Sequence, residues 1–282
     1  ASGSTSAAEP RLLAAATAVT LSLHNLPADS VIPLGRAGAS RVIASFDFET
    51  YSEAGYIRDE AAGKVRSAGG KRQGGLPLVG VWNYLSHPTA DILSLSYDLK
   101  DGLGRRHWRP GMLSPDDLCE HVAAGRDIEA HNVTFEWLAW NLICVPRYGW
   151  PPLYLEQCYC SMAKSRRYST PGGLDALAKF LGTTQKQADG KRLLNKLSRP
   201  QSLTKARREW RITPSMAPED FAKLYTYNDT DVLAEDEAAA HIPELCGTER
   251  RVWLADQQIN ARGVAVDMVT LRAALVVLKA AQ

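Results

Sequence analysis

The stretch Ser45-Phe-Asp-Phe-Glu-Thr-Tyr-Ser52 places two carboxylates, Asp47 and Glu49, one residue apart inside an apolar run. The β-branched and aromatic residues before them, and the turn-forming Thr-Tyr-Ser after them, predict a strand that enters a core. Side chains two residues apart on a strand share a face, so the two acids are expected to be neighbours. A metal cation, a basic partner or protonation would relieve their repulsion. The alternative is a strand end in solvent, where both acids are simply hydrated.

Length and composition are those of an ordinary globular protein. The chain has 282 residues, 45% of them hydrophobic and 23% charged, which suits one large α/β domain or two smaller ones. A membrane-spanning segment is not expected, because no run of about 18 apolar residues occurs. The five cysteines lack a convincing zinc-binding spacing, so we interpret them as reduced thiols of a cytoplasmic protein. A monomer is the default expectation.

Charge is distributed unevenly along the chain. Residues 161–211 contain 13 Lys and Arg against 3 Asp and Glu, although the net charge of the whole chain is only +2. A basic segment beside an acidic site suits a polyanion that is handled with metal ions. A solvated, Lys-rich helical surface is the alternative interpretation.

The remaining patterns predict a mixed α/β domain. Residues 1–40 are rich in Ala, Ser, Gly and Pro and are expected to form a loosely structured extension, and the Gly-rich residues 55–75 a loop. Strands are predicted at residues 78–85, 91–97 and 127–130. Helices are predicted at residues 114–125 with Ser114 as the N-cap, from after Asn132 through Trp140, at residues 174–182, and over most of the chain from Pro218. Antiparallel strands followed by alternating strands and helices predict a mixed β-sheet flanked by helices.

Two further fragments carry acids. Glu136, in Asn132-Val-Thr-Phe-Glu136, lies at the junction of a predicted strand and helix. Tyr227 and Asp231, in Tyr227-Asn-Asp-Thr-Asp231, lie in a predicted helix, where positions four apart share a face. Taken singly, each fragment is more often an ordinary surface or core feature.

In this order, the fragments resemble the three motifs of the proofreading 3′–5′ exonuclease superfamily, which includes DnaQ-like enzymes and the exonuclease domain of family A DNA polymerases. The first motif, Asp-x-Glu, matches Asp47 and Glu49, and the second matches Asn132 and Glu136. The third, in the tyrosine subtype, matches Tyr227 and Asp231. The resemblance covers residues 42 to 245 or so and implies an RNase H-like fold. The superfamily usually has Asp where this chain has the longer Glu136.

A narrower resemblance comes from the connecting segments. Four segments are similar to bacteriophage-type family A polymerases: Tyr168-Ser-Thr-Pro-Gly-Gly-Leu-Asp-Ala-Leu-Ala, Gln185-Lys-Gln-Ala-Asp-Gly-Lys-Arg-Leu-Leu, Leu197-Ser-Arg-Pro and Asp256-Gln-Gln-Ile-Asn-Ala-Arg-Gly-Val-Ala-Val-Asp267. This resemblance implies an exonuclease domain at residues 41–245 and, at residues 246–282, the helical start of a connection to a polymerase region. That region would be the partner within the same polypeptide, and a phage-encoded protein would act in the host cytoplasm.

The resemblance also implies the roles of the site residues. Asp47 would bridge two divalent cations, Mg²⁺ or Mn²⁺, while Glu49 and Asp231 would complete the first cation site and Glu136 would support the second. Tyr227 would orient the attacking water.

The implied substrate is a single-stranded DNA 3′ end or a frayed primer terminus. Thr50 would contact the terminal nucleotide and Asn132 the region of the scissile phosphate, although both residues also suit plain caps. Phe135 or Tyr168 could stack on a base, with a core position as the alternative for Phe135. The phosphate contacts are expected from the basic segment: Arg166, Arg167, Lys186, Lys191 and Arg192.

Two other functions fit the same residues. An RNA-trimming exonuclease of the RNase D kind shares the acids and the tyrosine, and the segment that begins at Ile259 argues against it. A non-catalytic nucleic-acid-binding module, in which Glu136 marks a decayed site, is the second alternative, and the intact Asp47, Glu49, Tyr227 and Asp231 argue against decay.

Overall fold

A computed structural model describes residues 43–184 and 190–281. The expected extension at residues 1–40 therefore lies outside the described residues, as does the predicted phosphate contact Lys186. Within the described residues, the strands are β1 (Ala44–Tyr51), β2 (Tyr56–Asp59), β3 (Lys64–Ser67), β4 (Asp91–Asp98), β5 (Arg106–Trp108), β6 (Ile128–Ala130) and β7 (Cys158–Cys160). The α-helices are α1 (Leu76–Leu85), α2 (Asp116–Ala123), α3 (Thr134–Ala139), α4 (Val145–Tyr148), α5 (Ser161–Arg167), α6 (Leu174–Leu181), α7 (Gly190–Leu197), α8 (Pro218–Ala240), α9 (Gly247–Arg262) and α10 (Met268–Ala280).

Five strands form one mixed sheet in the order β5-β4-β1-β6-β7. Strands β5, β4 and β1 are antiparallel neighbours, whereas β6 and β7 continue the sheet in parallel with β1. This mixed sheet flanked by helices confirms the predicted fold class and is consistent with an RNase H-like fold. Strand β1 lies at the centre of the sheet and pairs with β4 on one side and β6 on the other. Asp47 and Glu49 are therefore carried by a central strand.

The two faces of β1 have different partners. Phe46 and Phe48 lie on one face and pack against Trp140, with ring centroids 6.2 and 6.4 Å apart. Trp140 begins a π-helical turn, Trp140–Cys144, that joins α3 to α4. The helix predicted to end at Trp140 therefore continues to Tyr148, and its aromatic side chains form the larger core. The alternate residues of β1, Asp47 and Glu49, face helix α8.

Two sequence predictions are wrong between β1 and β4. Residues 78–85, predicted as a strand, belong to helix α1, which is kinked at Gly80 (φ 77°) and has Pro in its first turn. A short apolar run does not distinguish a strand from a helix by periodicity, whereas Pro suits a helix start and cannot donate to a sheet. Residues 55–75, predicted as a loop, include the antiparallel β2–β3 hairpin. Its short strands are largely exposed and therefore lack the apolar alternation of a core strand.

Helix α2 begins later than predicted. Pro115 occupies its N-cap position without a side-chain cap, so Ser114 does not cap the helix. The Ser114 hydroxyl instead lies 3.9 Å from the Cys119 sulfur. By contrast, α6 ends as predicted, because Gly182 adopts the left-handed conformation (φ 72°) that closes the helix.

The helices after residue 246 differ in how many apolar side chains they bury. Helix α9 contacts the larger core through Leu254, whereas α10 leaves apolar side chains such as Val269, Val276 and Val277 exposed. Among the described residues, no helix has the length and apolar character needed to cross a membrane.

Candidate metal centre

Three carboxylates meet between β1 and α8. Asp47 and Glu49 come from β1 and Asp231 from α8, and one carboxylate oxygen of each lies within 4.8 Å of those of the other two. Glu49 and Asp231 are buried and Asp47 is half-buried. Ionised carboxylates this close and this shielded from water require a compensating cation or proton. Because every donor is a hard oxygen, the cluster could hold divalent cations of the Mg²⁺, Mn²⁺ or Ca²⁺ class.

Asn228 fixes the position of Asp47. Its side-chain Nδ2 donates to Asp47 Oδ2 at 2.6 Å and to the Asp47 carbonyl at 3.2 Å. Its Oδ1 accepts a hydrogen bond of 2.9 Å from the Ser94 hydroxyl on β4. This buried amide joins both central strands to α8 and restricts the carboxylate to one orientation. The sequence analysis missed Asn228, although it lies three residues before Asp231 and therefore on the same helix face.

Glu136 approaches the site from α3, the helix that follows β6, the parallel neighbour of β1. Asn132 adopts a left-handed conformation (φ 67°) after β6, which Asn tolerates better than most residues. The turn places Glu136 in the first turn of α3, where it is buried. Its Oε2 has no hydrogen-bond partner among the residues that the structure describes. Burial, and then the charge of Asp47, raise the pKa of Glu136 well above its ordinary range.

This arrangement fits a bound cation. A buried carboxylate oxygen that lacks a hydrogen bond is costly, and coordination to a cation would satisfy it. Glu136 is not part of the 4.8 Å cluster of Asp47, Glu49 and Asp231, yet Asp47 and Glu49 both raise its pKa. The predicted grouping of the four acids is therefore compatible with the geometry, with Glu136 standing apart from the other three.

Without metal, Glu136→Gln is expected to stabilise the protein at neutral pH, by on the order of 1 kcal/mol. The ordinary pKa of this carboxyl is 4.5, and its folded-state pKa is higher. Below pH 4.5 the wild-type carboxyl therefore costs no stability, and as pH rises towards the folded-state pKa it lowers the free energy of unfolding. The variant lacks that loss. Urea unfolding in EDTA between pH 4 and 8 would measure the difference. The exposed Glu120→Gln is the matched control, and parallel pH dependences for Glu136→Gln and wild type would contradict the burial argument.

Tyr227 lies on α8 one turn before Asp231 and is 6% exposed. The backbone of Gly190, at the start of α7, passes directly against its ring, so that a Cβ atom at Gly190 would lie 2.0 Å from Tyr227 Cε2. Only glycine permits this approach, and it fixes the ring in place. Gly190 is a second residue that the sequence analysis missed, although the preceding Asp makes an Asp-Gly pair, an ordinary turn signal.

A further buried acid, Glu235, lies on the same helix as Asp231. Glu235, one turn after Asp231 on α8, accepts a hydrogen bond of 3.3 Å from Ser161, whose hydroxyl lies 2.9 Å from His131 Nδ1. Burial, and then the charges of Glu129 and Asp47, raise the pKa of Glu235 well above its ordinary range. The sequence analysis did not select Glu235. When ionised, Glu235 would add to the negative field that a cation at the site would offset.

The predicted substrate contacts near the centre differ in exposure. Thr50 is buried, and its carbonyl accepts a hydrogen bond of 3.5 Å from the Tyr84 hydroxyl. Phe135 is half-buried and packs against the Tyr84 ring at 6.4 Å, as the core alternative expected. Asn132 is exposed. Their roles towards a substrate stay predictions.

The predicted contacts on the basic segment are spread over two helices. Tyr168, at the end of α5, is 44% exposed, and the neighbouring Arg167 forms an ion pair with Glu249. Arg166 and, on α7, Arg192 are exposed. The side chain of Lys191 lies outside the described residues.

Comparison with known proteins gives one relevant similarity. No protein family model matches the chain. The chain is 29% identical over 202 residues to a protein named DNA polymerase from Bacillus phage SP02, an alignment that covers 70% of this chain and 30% of that protein. The chain thus spans less than a third of that relative's length and is similar to a part of a phage DNA polymerase. The similarity agrees with the phage-type polymerase resemblance of the connecting segments.

Proposed function

We propose that this chain is a metal-dependent 3′–5′ DNA exonuclease that acts as the proofreading region of a phage-type family A DNA polymerase. The observation that carries the proposal is the convergence of Asp47 and Glu49 from the central strand with Asp231 from α8. Glu136, with its buried and unsatisfied oxygen, supports a second cation position. The similarity to part of a phage DNA polymerase favours DNA as the substrate.

In this proposal, Asp47, Glu49, Asp231 and Glu136 hold the divalent cations. When bound, such cations lower the pKa of an attacking water and offset the charge that develops on the leaving oxygen. The chain's own contribution is to present these carboxylates in one orientation. Asn228 does so for Asp47 through two hydrogen bonds from one amide, and the buried position of Glu49 and Asp231 limits their movement.

Tyr227 would orient the attacking water. A tyrosine hydroxyl ordinarily titrates near pH 10 and is therefore a poor general base at neutral pH, so its contribution is a hydrogen bond rather than proton removal. Its place one turn from Asp231, with its ring held by the backbone of Gly190, suits this positioning role. Thr50 and Asn132 would then contact the terminal nucleotide and the region of the scissile phosphate.

A polymerase region of the same polypeptide is the proposed partner. Helix α10 exposes Val269, Val276 and Val277, and clustered exposed apolar side chains are typical of surfaces that contact another protein surface. The similarity to a phage DNA polymerase is the second support for this partner.

The function is tested with a single-stranded DNA oligonucleotide labelled at its 5′ end. With Mg²⁺ or Mn²⁺ we expect a ladder that shortens from the 3′ end, and with excess EDTA we expect no cleavage. An RNA oligonucleotide of the same sequence is compared in parallel, since faster cleavage of RNA would favour the RNase D-like alternative. Tight binding to either strand without hydrolysis in any divalent metal would favour the non-catalytic module.

A further inference from the structure

A second polar site lies outside the metal centre. A groove of about 330 Å³ separates the β2–β3 hairpin from two loops, residues 72–74 and 199–202, and we call it the hairpin groove. Its lining carries three guanidinium groups, from Arg66, Arg72 and Arg199, and neutral polar groups from residues such as Gln73 and Gln201.

The groove carries positive charge without an acidic partner among the described residues. No Asp or Glu lines it, and none of the three arginines forms an ion pair with another residue in 43–184 or 190–281. Three like charges around a volume this small repel one another and create a positive potential that favours an anion. Guanidinium groups bind phosphate through paired N–H donors, which makes phosphate the best-matched anion.

The walls of the groove are held by backbone hydrogen bonds. The Leu203 N–H donates to the carbonyl of Gly63 at the hairpin turn over 2.8 Å, and the Val65 N–H donates to the Ser202 hydroxyl over 2.9 Å. On the opposite wall, a Cβ atom at Gly74 would lie 2.7 Å from the Gly55 carbonyl oxygen. The backbones are therefore in direct contact, and the arginines project from a defined frame.

Two connections place this groove beside the metal centre. Along β1, Ser52 follows Glu49 by three residues, and its N–H donates to the Ser198 carbonyl over 3.1 Å, next to Arg199. At about 3.3 Å per extended residue, Ser52 lies about 10 Å along the chain from Glu49, and Arg199, the first residue of the 199–202 wall of the groove, directly follows the Ser198 that Ser52 contacts. Helix α7 is the second connection, because it starts at Gly190 against the Tyr227 ring and ends at Leu197.

We infer that the hairpin groove binds backbone phosphates of a polynucleotide whose 3′ end occupies the metal centre. This inference rests on the proposed function, which supplies the orientation of the strand. At ~3.4 Å or more per nucleotide step, a strand that leaves the centre passes Ser52 within about three nucleotides and then meets the groove. The groove would thus hold the strand upstream of the nucleotide being removed.

The test compares wild type with the double variant Arg66→Glu/Arg72→Glu, whose two side chains are exposed. Equilibrium binding is measured in Ca²⁺ with labelled single strands of 2 and 20 nucleotides over a range of salt. For the 20-mer we expect an affinity loss of roughly ten- to a hundredfold and a salt slope reduced by about two. For the dinucleotide, whose single step cannot span a distance of about three steps, we expect unchanged affinity and unchanged hydrolysis in Mg²⁺.

Control variants separate this effect from a general change of charge. Arg126→Glu alters an equally exposed arginine. Arg126 lies next to the opposite end of β1, where the Ala44 N–H donates to the Asp127 carbonyl. This control should change the 20-mer affinity by no more than about twofold, through long-range charge alone. The neutral pair Arg66→Gln/Arg72→Gln removes the guanidinium groups without adding acids and should retain the loss, which excludes misfolding caused by the new charges.

Several outcomes would overturn the inference. Equal 20-mer affinity and salt slope in wild type and the double variant would show that the arginines lie on a merely solvated face. An equal loss for the dinucleotide would place the effect at the metal centre instead. Displacement of the 20-mer by millimolar dAMP in wild type alone would assign the groove to a mononucleotide. If wild type hydrolyses no oligonucleotide, the proposed function fails, whereas the 20-mer binding data still decide whether the groove holds a strand.

Discussion

Asp47→Asn and Asp231→Asn are each expected to lower the rate of single-strand hydrolysis at least a thousandfold, about 4 kcal/mol of transition-state stabilisation. Asn keeps the size of the side chain but removes the charge that holds a cation. The two residues belong to the same cluster of oxygens within 4.8 Å, so either loss should disable the site. Single-turnover degradation of a 5′-labelled strand in Mg²⁺ measures the effect.

The matched control is Asp175→Asn, because Asp175 is an exposed residue in the first turn of α6 and should retain wild-type activity. In EDTA, the two site variants should be at least as stable as wild type, because clustered like charges destabilise the metal-free protein. More than about a tenth of wild-type activity in either site variant would contradict the assignment of a metal-dependent centre.

The part of the candidate site that the sequence predicted is the part encoded locally. Asp47 and Glu49 are neighbours because a strand alternates its side chains, and Tyr227 and Asp231 share a face because a helix repeats every 3.6 residues. Both relations follow from a few residues of sequence. The meeting of β1 with α8 does not follow from either fragment alone, and only the resemblance to known motifs predicted it.

Residues that act through long-range contacts were missed for the same reason. Asn228 matters because its amide contacts two residues more than a hundred positions earlier in the chain: it accepts a hydrogen bond from the Ser94 hydroxyl and donates one to the Asp47 carboxylate. Gly190 matters because the Tyr227 ring lies against its backbone. Neither contact leaves a periodic signal in the sequence.

The wrong predictions for the fold lie where the chain buries little. Strands β2 and β3 are largely exposed and are held by contacts with the distant segment that contains Ser202 and Leu203. Apolar patterning reports burial against a core, so a hairpin fixed mainly by hydrogen bonds gives no such pattern. The same hairpin carries Arg66 and one wall of the proposed phosphate groove, which sequence reasoning had treated as part of a loop.

Tyr227→Phe is expected to slow hydrolysis roughly ten- to a thousandfold, on the order of 1.4 to 4 kcal/mol, with DNA and metal binding nearly unchanged. Phenylalanine keeps the ring that packs against Gly190 and removes only the hydroxyl proposed to orient the water. The rate should therefore fall without a change in the fold. The measurement is single-turnover degradation of a labelled strand, alongside equilibrium DNA binding in Ca²⁺ and thermal unfolding.

Tyr225→Phe provides the matched control on the same helix. The Tyr225 ring packs against Phe221 at 6.0 Å and lies under the Arg109 guanidinium at 4.1 Å, two contacts that need the ring and not the hydroxyl. This control should retain wild-type rates. Equal rates for Tyr227→Phe and wild type would make Tyr227 a packing residue of α8. A collapse of DNA binding in Tyr227→Phe would instead make its hydroxyl a substrate contact, because a group that only orients water contributes to the rate of the bound complex and not to its formation.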